Sequence, residues 1–506
     1  MMDEFEESKR TGTFTISPGK DVYGELTFKG PETSLHLHDK ASFSTHAIPE
    51  QCITGILQDL TKVSLIQCIT PPVPGSGRRG NEEYYFANIF PHYVVRGDHH
   101  ITPAAKSITS VHFVVDDATT LFYDFDAFGS LIDARPFIKD ISRANAHHRE
   151  ITTGPNPAIL YYTGKREIFG ADTLFGRISA SHNPSHNLGG PDGVYLKNTI
   201  HVNLTFKEAR AFDDAILHTF TLVQYLGILV GRPQNVLEVK VGIESDEERP
   251  VVLEVYWSMP PKRESSHEQR KPHPADVLLD AVRQPEAFSG VLGSWLDRQQ
   301  TWRDARHRLF NAFAKQQTYD IDRLIGSANM FDILPSSAVA AELLLTEELK
   351  AAKETCREIF NRLPPSPERD SVLGALGRLG KSNLKQKIRH RARLITDAAG
   401  NLFPELVTVT DEAVNCRNHY VHGSDARFDY SDASDNFDAV VFFTDTLEFV
   451  FATSDLIEAG WDIRAWSEIG TAMSHPFGAY RVNYAASLQK LKALLPRPAT
   501  AVPTHG

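Results

Sequence analysis

The spacing of apolar residues changes once along this chain, and that single change limits the fold to a two-part architecture. Upstream of about residue 260 the apolar residues sit in short runs rich in Val, Ile, Thr, Tyr and Phe, separated by turn residues, at 13–17, 22–29, 63–70, 83–89 and 110–115. Runs of this kind form strands. Downstream they recur at i, i+3, i+4 in 294–317, 338–363, 383–399, 411–422 and 436–459, each bounded by Pro, Gly, Ser or Asp. That is the period of a helix. Between the two lies 260–274, PPKRESSHEQRKPHP, which has no apolar periodicity and too little apolar surface to fold by itself.

The expectation is an α+β chain: a β-rich N-terminal domain at 1–260, with subdomains 1–140 and 150–260, a linker at 261–275, an all-α bundle at 276–495 and a Pro- and Thr-containing tail at 496–506. A chain of 506 residues exceeds what one core serves. Within the first part, the pattern predicts a strand ending at Asp116-Asp117 and another restarting at Thr120. Further on it predicts strands near 193–205, an apolar helix at 212–229, and a hairpin of 236–242 with 251–257. A last helix is expected at 480–495.

Charge and cysteine content narrow the function. With 53 Lys plus Arg against 64 Asp plus Glu, the net charge of −11 excludes a chain that holds nucleic acid by bulk positive charge, so any such contact needs a local patch. The four cysteines form no C-x-x-C pair, which argues against a zinc or redox motif. The start, Met1-Met2-Asp3-Glu4, does not read as a secretion signal, and the apolar stretch at 216–230 is too short to span a bilayer. A cytoplasmic protein without membrane partners is expected.

Chemistry concentrates in 411–423, DEAVNCRNHYVHG, where Arg417 is followed by Asn418 and, four residues later, by His422. Arg417 supplies a permanent planar cation suited to phosphate oxygens, and His422 an imidazole whose proton moves near neutral pH. Asn418 and His422 share a helix face, and Gly423 suits a left-handed helix end that leaves His422 accessible. The same residues also allow a surface Arg beside a satisfied His. One helix earlier, Lys381, Lys385, Lys387, Arg389, His390, Arg391 and Arg393 form a dense basic run that either draws phosphate or is a solvated helix face. Arg298, Arg303, Arg306 and Arg308 form a second run, interrupted by acidic residues, that reads as ordinary surface.

Several other signals lack their context. Gly75 to Gly80 matches G-x-G-x-x-G but is preceded by prolines and followed by a strand pattern, so it reads as a loop. Glu238-Val239-Lys240 resembles half of a metal-dependent nuclease core without the upstream Asp, and alternation explains it. The pairs His99-His100, His147-His148 and His182 with His186 read as solvated loop histidines, and Asp116, Asp117, Asp124 and Asp126 as turn and strand-edge residues.

The string RNHYVHG, in a late helix of a bundle behind a β-rich domain, resembles the R-x4-6-H motif of HEPN ribonucleases. Nearly the whole chain resembles ApeA-like HEPN proteins of bacterial anti-phage defence, with support from YDIDRLIGSANMFDIL at 319–334 and LKQKIRHRARLI at 384–395. It departs from them at Asn329-Met330-Phe331-Asp332, where an acidic residue is expected after the apolar pair, which puts in doubt any role of a carboxylate there. The resemblance implies a toxin-like, abortive-infection ribonuclease that cuts tRNA or another cellular RNA without metal or cofactor. The ribose 2′-hydroxyl would attack the adjacent phosphate, with His422 as base or acid, Arg417 stabilising the transition state and Asn418 orienting one of them. It also implies a composite site across a homodimer, restrained by an N-terminal sensor of a phage-derived trigger. RNA contacts are expected from Lys381, Lys385, Lys387, Arg389, Arg391, Arg393 and His419, with packing or dimer contact an equal role for His419. The rival reading is a catalytically silent dimerisation or RNA-binding bundle whose N-terminal domain binds a ligand or protein.

Overall fold

The structure, a computed structural model, describes residues 7–495 except 18, 44–51, 132, 149–151, 188, 192, 246–249, 261–270, 316–317, 340–344 and 431–437. Most of the expected linker and all of the expected tail therefore lie outside the described residues. The chain divides into two units, Met1–Ser289 and Gly290–Gly506.

The first unit is β-rich, as the period of two implies. Strand Glu82–Gly97 pairs with Ser34–Asp39 along its first half and with Lys62–Ile69 along its second. From Ser34–Asp39 the pairing runs through Lys20–Phe28, Ser8–Ser17 and Cys52–Leu57 to Lys62–Ile69, so six antiparallel strands make a closed circuit. Alternation puts Phe14, Val22, Leu26, Leu35, Leu37, Ile53, Leu65 and Ile89 into one core. The sheet continues from Glu82–Gly97 through Val251–Trp257, Val236–Ile243, Ile108–Val115, Leu196–Arg210, Gly176–His186 and Glu167–Asp172. Helix Phe212–Val230, apolar on nearly all sides, packs on Ile108–Val115 and Leu196–Arg210 and ends at Gly231 with φ 80°.

Two local expectations fail for identifiable reasons. No strand restarts at Thr120; Ala118–Leu121 is a helical turn. The buried Asp117 fixes it, accepting from the Arg232 guanidinium at 2.7 and 2.6 Å and from Gln234 Nε2 at 2.9 Å. Gly75–Arg79 is a strand rather than a loop, paired with Glu82–Gly97 through a tight turn in which Gly80 has φ 64°.

Among its described residues the second unit has helices and no strand. Its centre is Ala439–Glu458, most of whose residues are buried, packed against Ile321–Asn329, Leu384–Ala399, Leu406–His422 and Pro476–Leu494. The expected helix at 294–317 is two helices, Pro285–Asp297 and Gln299–Ala314, meeting at Arg298. Ile321–Asn329 and Ile463–Glu468 are too short to stand out by period, and Pro367–Arg378 buries no residue and so has no marked apolar face. Side chains cap several starts: Asp320 accepts from Arg323 N, Asn383 forms a capping box with Gln386, and Asp438 accepts from Val441 N.

Arginines bind the helices from inside. Arg306 is fully buried, bidentate to Asp455 at 2.8 and 3.0 Å and 3.7 Å from the Trp295 ring, so it is not the surface residue its run suggested. Arg298 pairs with Asp455 and Glu458. Arg323 reaches Glu448 at 2.8 and 2.9 Å, and Ser327 donates to the same carboxylate. Removing one partner strands the other charge in a low-dielectric interior, so Arg323→Ala is expected to destabilise the second unit by about 3–5 kcal/mol in urea denaturation. Beside this pair, burial pushes the Asp445 carboxyl up to about 7, opposed by the Tyr319 hydroxyl that donates to it at 2.7 Å. A carboxyl raised above its ordinary 3.8 favours the fold when protonated. Its contribution is thus lost as pH rises through about 7. Asp445→Asn should flatten the decline of stability across that window in melts at stepped pH.

Candidate functional site

Helix Leu406–His422 buries Val409, Ala413, Val414 and Cys416 and carries its polar residues to the end, where Gly423 closes it at φ 66° with its N–H on His419 O. Arg417, Asn418 and His419 are partly exposed there, and His422 is exposed. Arg417 Nη1 donates to Asn418 Oδ1 at 3.1 Å and to His422 Nε2 at 3.0 Å. Nη2 donates to Asn329 Oδ1 at 3.0 Å. Arg417 Nε is buried and has no partner among the described residues.

A guanidinium only donates, so the ring nitrogen facing it must offer a lone pair. His422 in this arrangement is a neutral imidazole with its proton on Nδ1. Both hydrogens of Nη1 are engaged and one of Nη2, and the other Nη2 hydrogen has no partner among the described residues. Asn329 was the residue that sequence reasoning missed as a site member. It stands at the end of Ile321–Asn329, the helix anchored by Arg323 to Glu448 and packed on Leu406–His422. The signal in the sequence was that it opens the Asn329-Met330-Phe331-Asp332 stretch, where an acidic residue was expected; its amide oxygen accepts from Arg417 Nη2.

The structure separates the expected RNA-contact residues. Arg391 is fully buried, held by Glu458 at 2.8 Å, Ser454 at 2.9 Å and the Trp302 ring at 5.0 Å, and cannot reach a substrate. Arg389 is bidentate to Asp411 at 2.7 Å, and Lys387 donates to Asp332 O at 2.7 Å. Lys385 reaches Asn415 at 3.4 Å and Asp411 at 3.9 Å. Lys381 and Arg393 are exposed, without a side-chain partner among the described residues. His419 Nδ1 donates to Ser424 O at 2.8 Å, and its ring lies 5.1 and 5.5 Å from Tyr420 and Tyr430, so it holds the chain beyond the helix. Arg427 pairs with buried Glu412 at 3.0 Å and ties the same stretch back. Burial pushes the Cys416 thiol up to about 12, which makes it an inert packing residue.

Residues set aside in the sequence also have definite places. Glu238 and Lys240 pair with each other. His182 is a buried strand residue, not a solvated loop histidine: Asn198 meets its Nδ1 at 2.9 Å and Asp124 lies 3.5 Å from its Nε2. Burial pushes the Asp124 carboxyl up, but Lys165 at 2.6 Å and His182 outweigh it and hold it below its ordinary value. Among the described residues no three His, Cys, Asp or Glu side chains gather as a metal-ligand set, and no helix is long and apolar enough to cross a membrane.

A β-rich unit followed by a helical bundle with an Arg-Asn-x3-His helix end defines a protein of the HEPN class. Two family models match: ApeA N-terminal domain 1 over residues 9–295, more than half the chain, and Apea-like HEPN over residues 325–464. The chain belongs to the ApeA-like HEPN family, with an N-terminal domain of the first kind and a C-terminal domain of the second. No curated protein and no solved structure matches it.

The tautomer is open to measurement. Histidine ¹⁵N NMR should show neutral His422 with its proton on Nδ1, and Arg417→Ala should move the population toward the Nε2–H form. Unchanged nitrogen shifts would refute the hydrogen bond.

Proposed function

We propose that this chain is a metal-independent endoribonuclease of anti-phage defence, acting on tRNA or another cellular RNA. The observation that carries this reading is the 3.0 Å contact between Arg417 Nη1 and His422 Nε2 at the exposed end of a helix. It pairs a fixed cation with a titratable base.

The residues divide the reaction between them. A phosphate anion near the free Nη2 hydrogen competes with the imidazole for the guanidinium. As Arg417 turns to the phosphate, His422 Nε2 is released to take the proton of the ribose 2′-hydroxyl. The 2′-oxygen then bonds to phosphorus and the bond to the 5′-oxygen breaks, the leaving oxygen taking a proton from an acid. The products are a 2′,3′-cyclic phosphate and a 5′-hydroxyl. Arg417 stabilises the negative charge of the five-coordinate transition state, and Asn418 and Asn329 hold the guanidinium in position. One imidazole supplies one proton-transfer group, so a second copy of the helix facing the first would furnish the acid; this supports a homodimer with a composite cleft. Lys381 and Arg393, exposed on the neighbouring segments, are the members of the basic run free to meet the RNA backbone. The N-terminal domain is assigned the sensing of a phage-derived trigger. Single-stranded loops suit the site, because in-line attack needs an unstacked linkage.

His422→Ala should lower RNA cleavage by the purified protein roughly a hundredfold or more. Arg417→Lys should fail as well, because an ammonium cannot reproduce the planar fork that spans Asn418, His422 and Asn329. Chelation with EDTA should leave the wild-type rate unchanged. Equal cleavage by wild type and His422→Ala would leave the bundle as a silent RNA-binding or dimerisation module.

A further inference from the structure

The first unit carries a cavity of about 540 Å³ on the outer side of its strand circuit, lined by His36, His38, Asp39, Lys40, Tyr84 and Phe86. Its volume falls in the range of small-molecule sites. We infer that it is a nucleotide-binding site, in which Tyr84, Phe86, His36 and His38 stack a base and Lys40 with Arg79 meets its phosphates.

Strand register builds this surface. Tyr23 stands opposite His38, His38 opposite Phe86, and Phe86 opposite Gly75, which sets one row across four strands. In the next row Tyr84 stands opposite Gly77, and beyond it Glu82 opposite Arg79. The glycines explain why the rings lie flat. A Cβ at Gly75 would fall 2.4 Å from the Phe86 ring, and one at Gly77 would fall 2.3 Å from the Tyr84 ring. Both rings therefore rest on bare backbone. This is the role of the G-x-G string, which no phosphate-binding helix follows.

The rings form a series. Centroids of Tyr84 and Phe86, of Phe86 and His36, and of His36 and His38 are each 6.2 Å apart, with planes inclined by 32°, 33° and 29°. Tyr84 remains 44% exposed. An aromatic platform laid across a sheet binds planar rings through their faces, and it tolerates any base. His36 adds a polar edge. Its Nδ1 donates to Asn88 Oδ1 at 2.7 Å, so in the neutral ring Nε2 is the acceptor left for an exocyclic amino group.

Charge selects an anionic ligand over a plain aromatic one. Lys40 is paired with Glu82 at 3.2 Å, but the two side chains are 81% and 73% exposed, so the pair is weak and opens readily. Arg79, on the same face, has no side-chain partner among the described residues. Lys20 is committed to Asp39 at 2.8 Å. The cations available to a phosphate, Arg79 and, once its exposed pair with Glu82 opens, Lys40, therefore stand at the hairpin end of the row, next to the rings.

The test is calorimetric titration of the full-length chain with ATP, with adenosine and with a short single-stranded oligodeoxythymidine. ATP should bind saturably, and Tyr84→Ala or His38→Ala should weaken it about tenfold. Lys40→Ala combined with Arg79→Ala changes only exposed side chains and should reduce ATP to the affinity of adenosine. Melting curves establish that each variant is folded. Three results would overturn the inference: no ATP binding to the wild type, ATP binding untouched by these variants, or an oligonucleotide that displaces ATP and depends on Tyr84.

Discussion

One guanidinium organises the end of the helical unit. Arg417 can only donate hydrogen bonds, and the three acceptors around it come from two helices: Asn418 and His422 from its own, Asn329 from Ile321–Asn329. Each acceptor is constrained in return. Asn329 must present its amide oxygen, and His422 must carry its proton on Nδ1. The arrangement is as stiff as the helices beneath it, and these are set by a buried network in which Arg323 meets Glu448 and Arg306 meets Asp455, both carboxylates lying on the central helix Ala439–Glu458. A site on helices locked by buried ion pairs keeps its geometry better than one on loops.

The same residue type thus serves two opposed purposes in one bundle. Arg306, Arg323 and Arg391 are desolvated and matched to carboxylates, whereas Arg417 is held by neutral oxygens and a neutral ring. Among the described residues no carboxylate pairs with it. That difference is what the proposed reaction draws on, with Arg417 turning to a phosphate while the others hold the bundle, and it follows from what each guanidinium touches.

This also explains how far the sequence could be read. The switch of apolar period located the β-rich and helical parts, and the string Arg417, Asn418, His422 located the helix end, because both are local patterns. What depends on distant pairing was hidden. Nothing near Arg391 announces that Glu458 and Trp302 will enclose it, so a basic run that looked like one surface holds a buried Arg391, three residues engaged by Asp411, Asn415 or Asp332, a half-buried His390, and two exposed residues without a side-chain partner among the described residues. Asp117 looked like a strand end because its partner Arg232 lies far along the chain. The closed circuit of six strands required Glu82–Gly97 to pair with two strands on different stretches, which no local period encodes. Asn329 stood out as a departure from an expected acid, yet its use emerged only when it met Arg417.

Attack by the ribose 2′-hydroxyl is the central chemical claim, and an RNA carrying a single 2′-deoxyribose at the preferred cleavage linkage tests it most directly. The wild-type protein should leave that linkage intact while cutting the all-ribose RNA to a 2′,3′-cyclic phosphate and a 5′-hydroxyl. Cleavage at the deoxy linkage, or a 5′-phosphate end, would show that water or another nucleophile attacks and that His422 does not serve the ribose hydroxyl.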